Sequence, residues 1–303
     1  MVQSSVRVGL CGLLLTASAA CGGSDVASDR AAVTTQPSKV IDTQSAPAAA
    51  VTALQMQRFN CGELDVLDMS QYDRDGSLDG VEGAIASTCW LVRHPNGDLV
   101  WELGLPTGLA GQSATESPPY IMYLEQTLSD QLQVIGLSAR DIDYVAFSAN
   151  QFELTGQADQ FPQAVWLTTE AEEAALFPPA SDPDVDTEVS EAVAFAEMAR
   201  EVFADELDVF GDGSVKLMSM PGPTAGHKIL WVDLPQTGPV ILPGALFYSE
   251  AALEQGFIPR FFADETATAT SQNAVKTLAD STGARILISA DFDHLANVPE
   301  QLN

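Results

Sequence analysis

The stretch STCWLVRHPNGDLVWELGL, Ser87–Leu105, sets two runs rich in Val, Leu and Trp on either side of Pro95-Asn96-Gly97. Such residues suit a pleated, half-buried backbone, and Asn-Gly supplies the positive φ of a tight turn, so the stretch predicts a β-hairpin. His94 stands beside the turn and is read as an exposed turn histidine.

Working outward, Leu124, Leu128, Leu132 and Ile135 recur at helical spacing before Gly136, which predicts a helix with a glycine stop. DYVAFS (Asp143–Ser148) and QAVWLT (Gln163–Thr168) read as strands, and Thr187–Phe203 as a helix carrying Val189, Val193, Ala196, Met198 and Val202 near one side. ELDVFGDGSVKLMSM predicts a second hairpin turning at Gly211-Asp212-Gly213. KILWVDL and GPVILPGAL follow as apolar strands, then a helix over 264–281 and a last strand, ARILISA. Strand-rich halves, each with helices, imply two sheets covered outside by helices.

With 46% hydrophobic and 18% charged residues the 303-residue chain has a core-forming composition. Thirteen Lys+Arg against 42 Asp+Glu give a formal charge of −29, a surface that repels phosphate backbones, so nucleic-acid binding is excluded. Arg7 and the apolar run Val8–Ala20 predict an export signal over residues 1–20. SAACGGSD, Ser18–Asp25, resembles the lipobox of bacterial lipoproteins, with Cys21 as the lipidated cysteine. Ser18 departs from the usual Leu, and Ala17-Ser18-Ala19 leaves ordinary signal cleavage as the alternative. The expectation is a lipoprotein tied to a bacterial membrane and facing the periplasm or cell surface. Residues 21–57, rich in Ala, Ser, Thr, Pro and Gln, read as the lipidated end and a tether, and residues 58–303 as one domain. Of the remaining cysteines, Cys11 leaves with the signal, while Cys61 and Cys89 in an oxidising compartment suggest a disulfide, two buried thiols being the other reading.

The ordered run of these pieces resembles the metallo-β-lactamase fold and, within it, the N-acyl homoserine lactonase group. CWLVRHPNGDLVWELGLP matches the opening hairpin, and SARDIDYVAFS the strand before the metal loop. DVFGDGSVKLMSMPGPTAGHKILWVDLPQTGPVILPGAL matches the central hairpins, and TGARILISAD the last strand. The resemblance implies a four-layer αββα sandwich of the α/β (α+β) class.

That family binds two metal ions, commonly zinc, through a His-x-His-x-Asp-His loop, a Pro-Gly-His-Thr histidine, a bridging Asp and a final His. Imidazole and carboxylate donors hold the ions, and a bridging water attacks the lactone carbonyl. Carried onto this chain, the loop positions are Ala149, Gln151, Glu153 and Leu154, and the other three are Pro223, Ala245 and Ala290. One carboxylate and one amide remain, so the expectation is that no cofactor is bound and no catalytic residue is assigned. Tyr248 matches the family's substrate-contacting tyrosine, and packing is its alternative role. His227 is read as a loop support and His294 as a surface residue. A rebuilt mononuclear site from Glu153, His227 or His294 is the minor alternative, and Ser148, His227 and Asp291 lack the Gly-x-Ser-x-Gly elbow of a serine hydrolase.

Two functions follow. One is an inactive envelope protein whose drier pocket takes a small apolar or acyl-bearing ligand, or whose surface takes a partner. The other is a lactone or ester hydrolase with a rebuilt site.

Overall fold

Residues 51–178 and 190–303 are described by a computed structural model of the chain. The export signal, Cys21, most of the tether and Val189 lie outside them.

One sheet is built from β1 (Gln55–Val66), β2 (Gly83–His94), β3 (Gly97–Trp101), β4 (Thr115–Ser117), β5 (Tyr120–Tyr123), β6 (Tyr144–Ala146), β7 (Val165–Thr169) and β8 (Arg200–Phe203). Its order is β4-β5-β1-β2-β3-β6-β7-β8. A second sheet holds β9 (Glu206–Asp208), β10 (Val215–Ser219), β11 (Lys228–Leu234), β12 (Gly238–Leu242) and β13 (Arg285–Ile286), in the order β13-β12-β11-β10-β9. The terminal strand β14 (Gln301–Leu302) returns to pair with β1.

Side-chain alternation explains the layering. On β2, Trp90 and Val92 join Trp101, Leu217, Leu230 and Leu242 in a core between the sheets. Cys89 and Leu91 face the other way, with Val145, Phe147 and Trp166, onto Leu128, Leu132 and Phe195 of the covering helices. The second sheet turns Ile229 and Ile241 onto Val275 and Ala279 of the helix Glu265–Thr282. Helices, sheet, sheet and helix stack in the expected four layers.

The hairpin of Ser87–Leu105 forms with His94 opposite Gly97. His94 is not exposed: it is buried, 2.9 Å from Asp212 Oδ2, and stacks on Phe210 with ring centres 4.3 Å apart. The second hairpin carries those two residues across the sequence to cover it. The helix expected from Leu124 begins at Leu128, capped by Thr127 and Asp130; Leu124 lies in a bridge to Ala110. Of the helix expected over Thr187–Phe203, residues 187–189 lie outside the described residues, Ser190–Ala196 is helical, and Arg200–Phe203 instead pair in parallel with β7. ARILISA keeps two residues of strand, after which the chain turns into the short helix Phe292–Leu295. β1 opens at Gln55, inside the segment read as tether. A disulfide joins Cys61 and Cys89, with Cα atoms 5.7 Å apart.

Candidate functional site

β6 ends beneath the loop Phe147–Gly156, and the loop is fixed from below. Ser148 N–H donates to Glu102 Oε2 at 3.1 Å, and Asn150 N–H donates to Glu172 Oε1 at 2.5 Å. Lys228 N–H reaches Ser148 O, and Leu103 N–H reaches Leu154 O at 2.8 Å. Among the described residues Glu102 is the one non-glycine residue with positive φ, at 61°, a conformation that costs of order 1 kcal/mol or more and persists where its surroundings impose it. Gly244 is required opposite: at φ 56° a Cβ would collide with Ser148 Cβ.

Of the residues singled out in the sequence, Glu153, Leu154, Ala245, Tyr248 and Ala290 line one cavity with Glu102. Its volume is about 20 Å³, room for about one water molecule. Ala149 is fully buried; it, Gln151 and Pro223 do not line the cavity. Gln151 is drawn in indirectly, because the Tyr248 hydroxyl lies 2.8 Å from Gln151 Oε1 and 3.1 Å from Glu153 Oε1, with one proton to share between them. Tyr248 also packs edge-on against Tyr72, with ring centres 4.9 Å apart. The expected drier pocket for an acyl group is thus a packed, hydrogen-bonded plug.

Its electrostatics are set by burial. Desolvation raises the Glu153 carboxyl, and it pushes Glu102 up to about 8 against the opposing bonds from Ser148. Glu102 Oε1 has no hydrogen-bond partner. Lys228 is fully buried, and desolvation brings its amine down to about 8 while Glu172 and Glu102 pull the other way. Its Nζ lies over the Phe147 ring, 4.8 Å from the centre, without a hydrogen-bond partner. Glu172 is better served, accepting also from Thr224 Oγ1 at 2.6 Å. The sequence reading passed over these three charges. The signal was a charged residue inside an apolar run, Glu102 in VWELGL and Lys228 in HKILWV.

The histidines do not converge. His227 lies 2.8 Å through Nδ1 from Met220 O, and desolvation lowers its pKa to about 3, so it is a neutral loop support. His294 Nδ1 lies 2.7 Å from Glu250 Oε1. Asp291 caps the helix Phe292–Leu295 and accepts from Glu250 N–H, away from any triad with Ser148. Among the described residues no three His, Cys, Asp or Glu side chains gather as a metal site.

No family model matches the chain. It is similar to the N-acyl homoserine lactonases AttM of Azorhizobium caulinodans, at 25% identity over 71% of this chain and 85% of that one, and of Rhizobium radiobacter, at 26% over 72% and 86%. Among solved structures it resembles an N-acyl homoserine lactone hydrolase with N-hexanoyl-L-homoserine bound at its catalytic metal centre. The TM-score is 0.69 at 17% identity, over 82% of this chain and 98% of that one. It also resembles AidC, a dizinc quorum-quenching lactonase, with a TM-score of 0.60 at 14% identity over 84% and 92%.

These relatives correct the expectation of a protein without a cofactor. Of the solved relatives, one is described with a catalytic metal centre and another as a dizinc lactonase. The donors at the seven positions nevertheless do not fit a dinuclear zinc group. Ala149, Leu154, Pro223, Ala245 and Ala290 offer no side-chain donor, while Gln151 and Glu153 both lie within hydrogen-bond distance of the Tyr248 hydroxyl and Glu153 lines a cavity of only about 20 Å³. No step below runs through such a group.

Proposed function

For a lactonase-like chain of the metallo-β-lactamase fold, we propose the role of an exported, lipid-anchored binding protein that takes a small acyl-bearing ligand and does not open lactones. The observation that carries this reading is the plug. Tyr248 spends its hydroxyl on Gln151 and Glu153, and about 20 Å³ remain where a lactone ring and an attacking water would both have to sit. Positioning of the two reacting partners and stabilisation of the oxyanion supply most of the rate in such a reaction, and neither has space here. SAAC after an apolar run supports the anchor at Cys21. The net charge of −29 supports a life in water beyond the membrane surface rather than pressed against anionic lipid.

The names of its relatives favour a second reading, a hydrolase with a rebuilt site. One assay decides between them. N-hexanoyl homoserine lactone is followed for ring opening with and without added zinc. Ring opening at the buffer rate supports the binding role. Enzyme-dependent opening that Glu153→Gln abolishes would establish the hydrolase.

A further inference from the structure

If the old centre is closed, a ligand must sit elsewhere. A second cavity, about 310 Å³, shares Ala86 and Thr88 with the first and is at the lower end of the size of small-molecule sites. Its floor is one face of two paired strands: Asn60 lies opposite Thr88 and Glu63 opposite Ala86, with Arg58 two residues before Asn60 on the same face. The register shifts between Asn60 and Glu63, where Gly62 adopts φ 135°, and this bulge widens the floor. The wall is apolar, from Phe292, Leu295 and Ala296 of the C-terminal segment.

Arg58 is the unusual lining residue. It is half-buried, and its Nη1 donates to Leu295 O at 2.8 Å. None of the ion pairs among the described residues includes it, although the chain carries 42 acidic residues against 13 basic ones. Glu63 and Glu300 line the same cavity but are exposed, and Glu63 accepts from Asn60 Nδ2 at 3.0 Å. A partly desolvated guanidinium without a carboxylate, beside an apolar wall, is suited to an anion with an apolar body. Its planar fork matches a carboxylate in particular.

We propose that this cleft binds a small carboxylate with an apolar tail, the carboxylate on Arg58 and the tail along Phe292 and Leu295. The proposal gives a place to the ligand of the preceding section and is independent of whether the old centre turns lactones over.

The test is calorimetric titration of the full chain with octanoate and with octanamide, which has the same tail and no charge. Octanoate binds saturably at one per chain and at least 10-fold more tightly than octanamide. Arg58→Gln removes that preference, Arg58→Lys restores part of it, and Phe292→Ala weakens both ligands several-fold. Phe292 is partly exposed, so its variant keeps the fold, and thermal melts report on the arginine variants. Absence of saturable octanoate binding, or an Arg58→Gln protein that keeps the preference, overturns the proposal. Lactone ring opening would overturn the binding-protein reading above and leave these titrations to stand on their own.

Discussion

Lys228→Met tests the electrostatics beneath the loop. The lysine has no exposed surface and its Nζ no hydrogen-bond partner. Lowering its amine from 10.5 to about 8 means that keeping it charged in the fold at pH 7 costs roughly 3 kcal/mol, at 1.36 kcal/mol per pH unit. Methionine fills similar space without the charge. Glu172 keeps its bonds from Asn150 N–H and Thr224 Oγ1, and Glu102, at about 8, is largely protonated at pH 7 and needs no counter-ion. The substitution should therefore stabilise by about 2–3 kcal/mol, and by about 5–10 °C in Tm for a domain of this size. The pH dependence has a definite sign. Between about 8 and 10.5 the unfolded lysine holds a proton that the folded one has released, so the lysine's contribution to stability rises with pH by up to about 1.4 kcal/mol per unit, offset near pH 8 by the loss of the Glu102 proton. The variant lacks that rise. Urea unfolding of both proteins at pH 7, 8, 9 and 9.5 reads both effects. A variant less stable at pH 7, or one with the wild-type slope, would refute the reasoning.

Tyr248→Phe should remove the one hydroxyl shared by the partly buried Gln151 Oε1 and the buried Glu153 carboxyl, at a cost of about 1–3 kcal/mol in the same unfolding experiment. For the anchor, Cys21→Ser should move the protein from the membrane fraction to the soluble fraction on cell fractionation; an unchanged distribution refutes the lipid link.

What the sequence made legible is what alternation and turn chemistry write locally. The hairpin around Asn96-Gly97, the strand KILWVDL and the first five residues of GPVILPGAL formed as expected because each buries its apolar face against whatever sheet it joins, while Gly244–Leu246 turn into a short 3-10 helix. Long-range pairing was not legible. Arg200–Phe203 follow an alanine-rich helix and would extend it, but β7 offers them a parallel partner and wins. His94 is covered by a bond spanning 118 residues of sequence. At the site, the residue types at the substituted positions were readable one by one. The closing of the cavity was not, because it depends on Tyr248 reaching Gln151 and Glu153 across a separation of 97 and 95 residues. Glu102 and Lys228 were missed for a related reason: a charge inside an apolar strand shows its meaning only once its neighbours in space are known.

The amides of Ser148 and Asn150 rest on two carboxylates, Glu102 and Glu172, that belong to other parts of the chain. The path of the loop is thus encoded outside the loop, by acids bound largely to its backbone. Shape and display can then drift separately. Such a loop tolerates exchange of the residues it presents while holding its course, and a change at Glu102 or Glu172 would disturb it more than most changes within it.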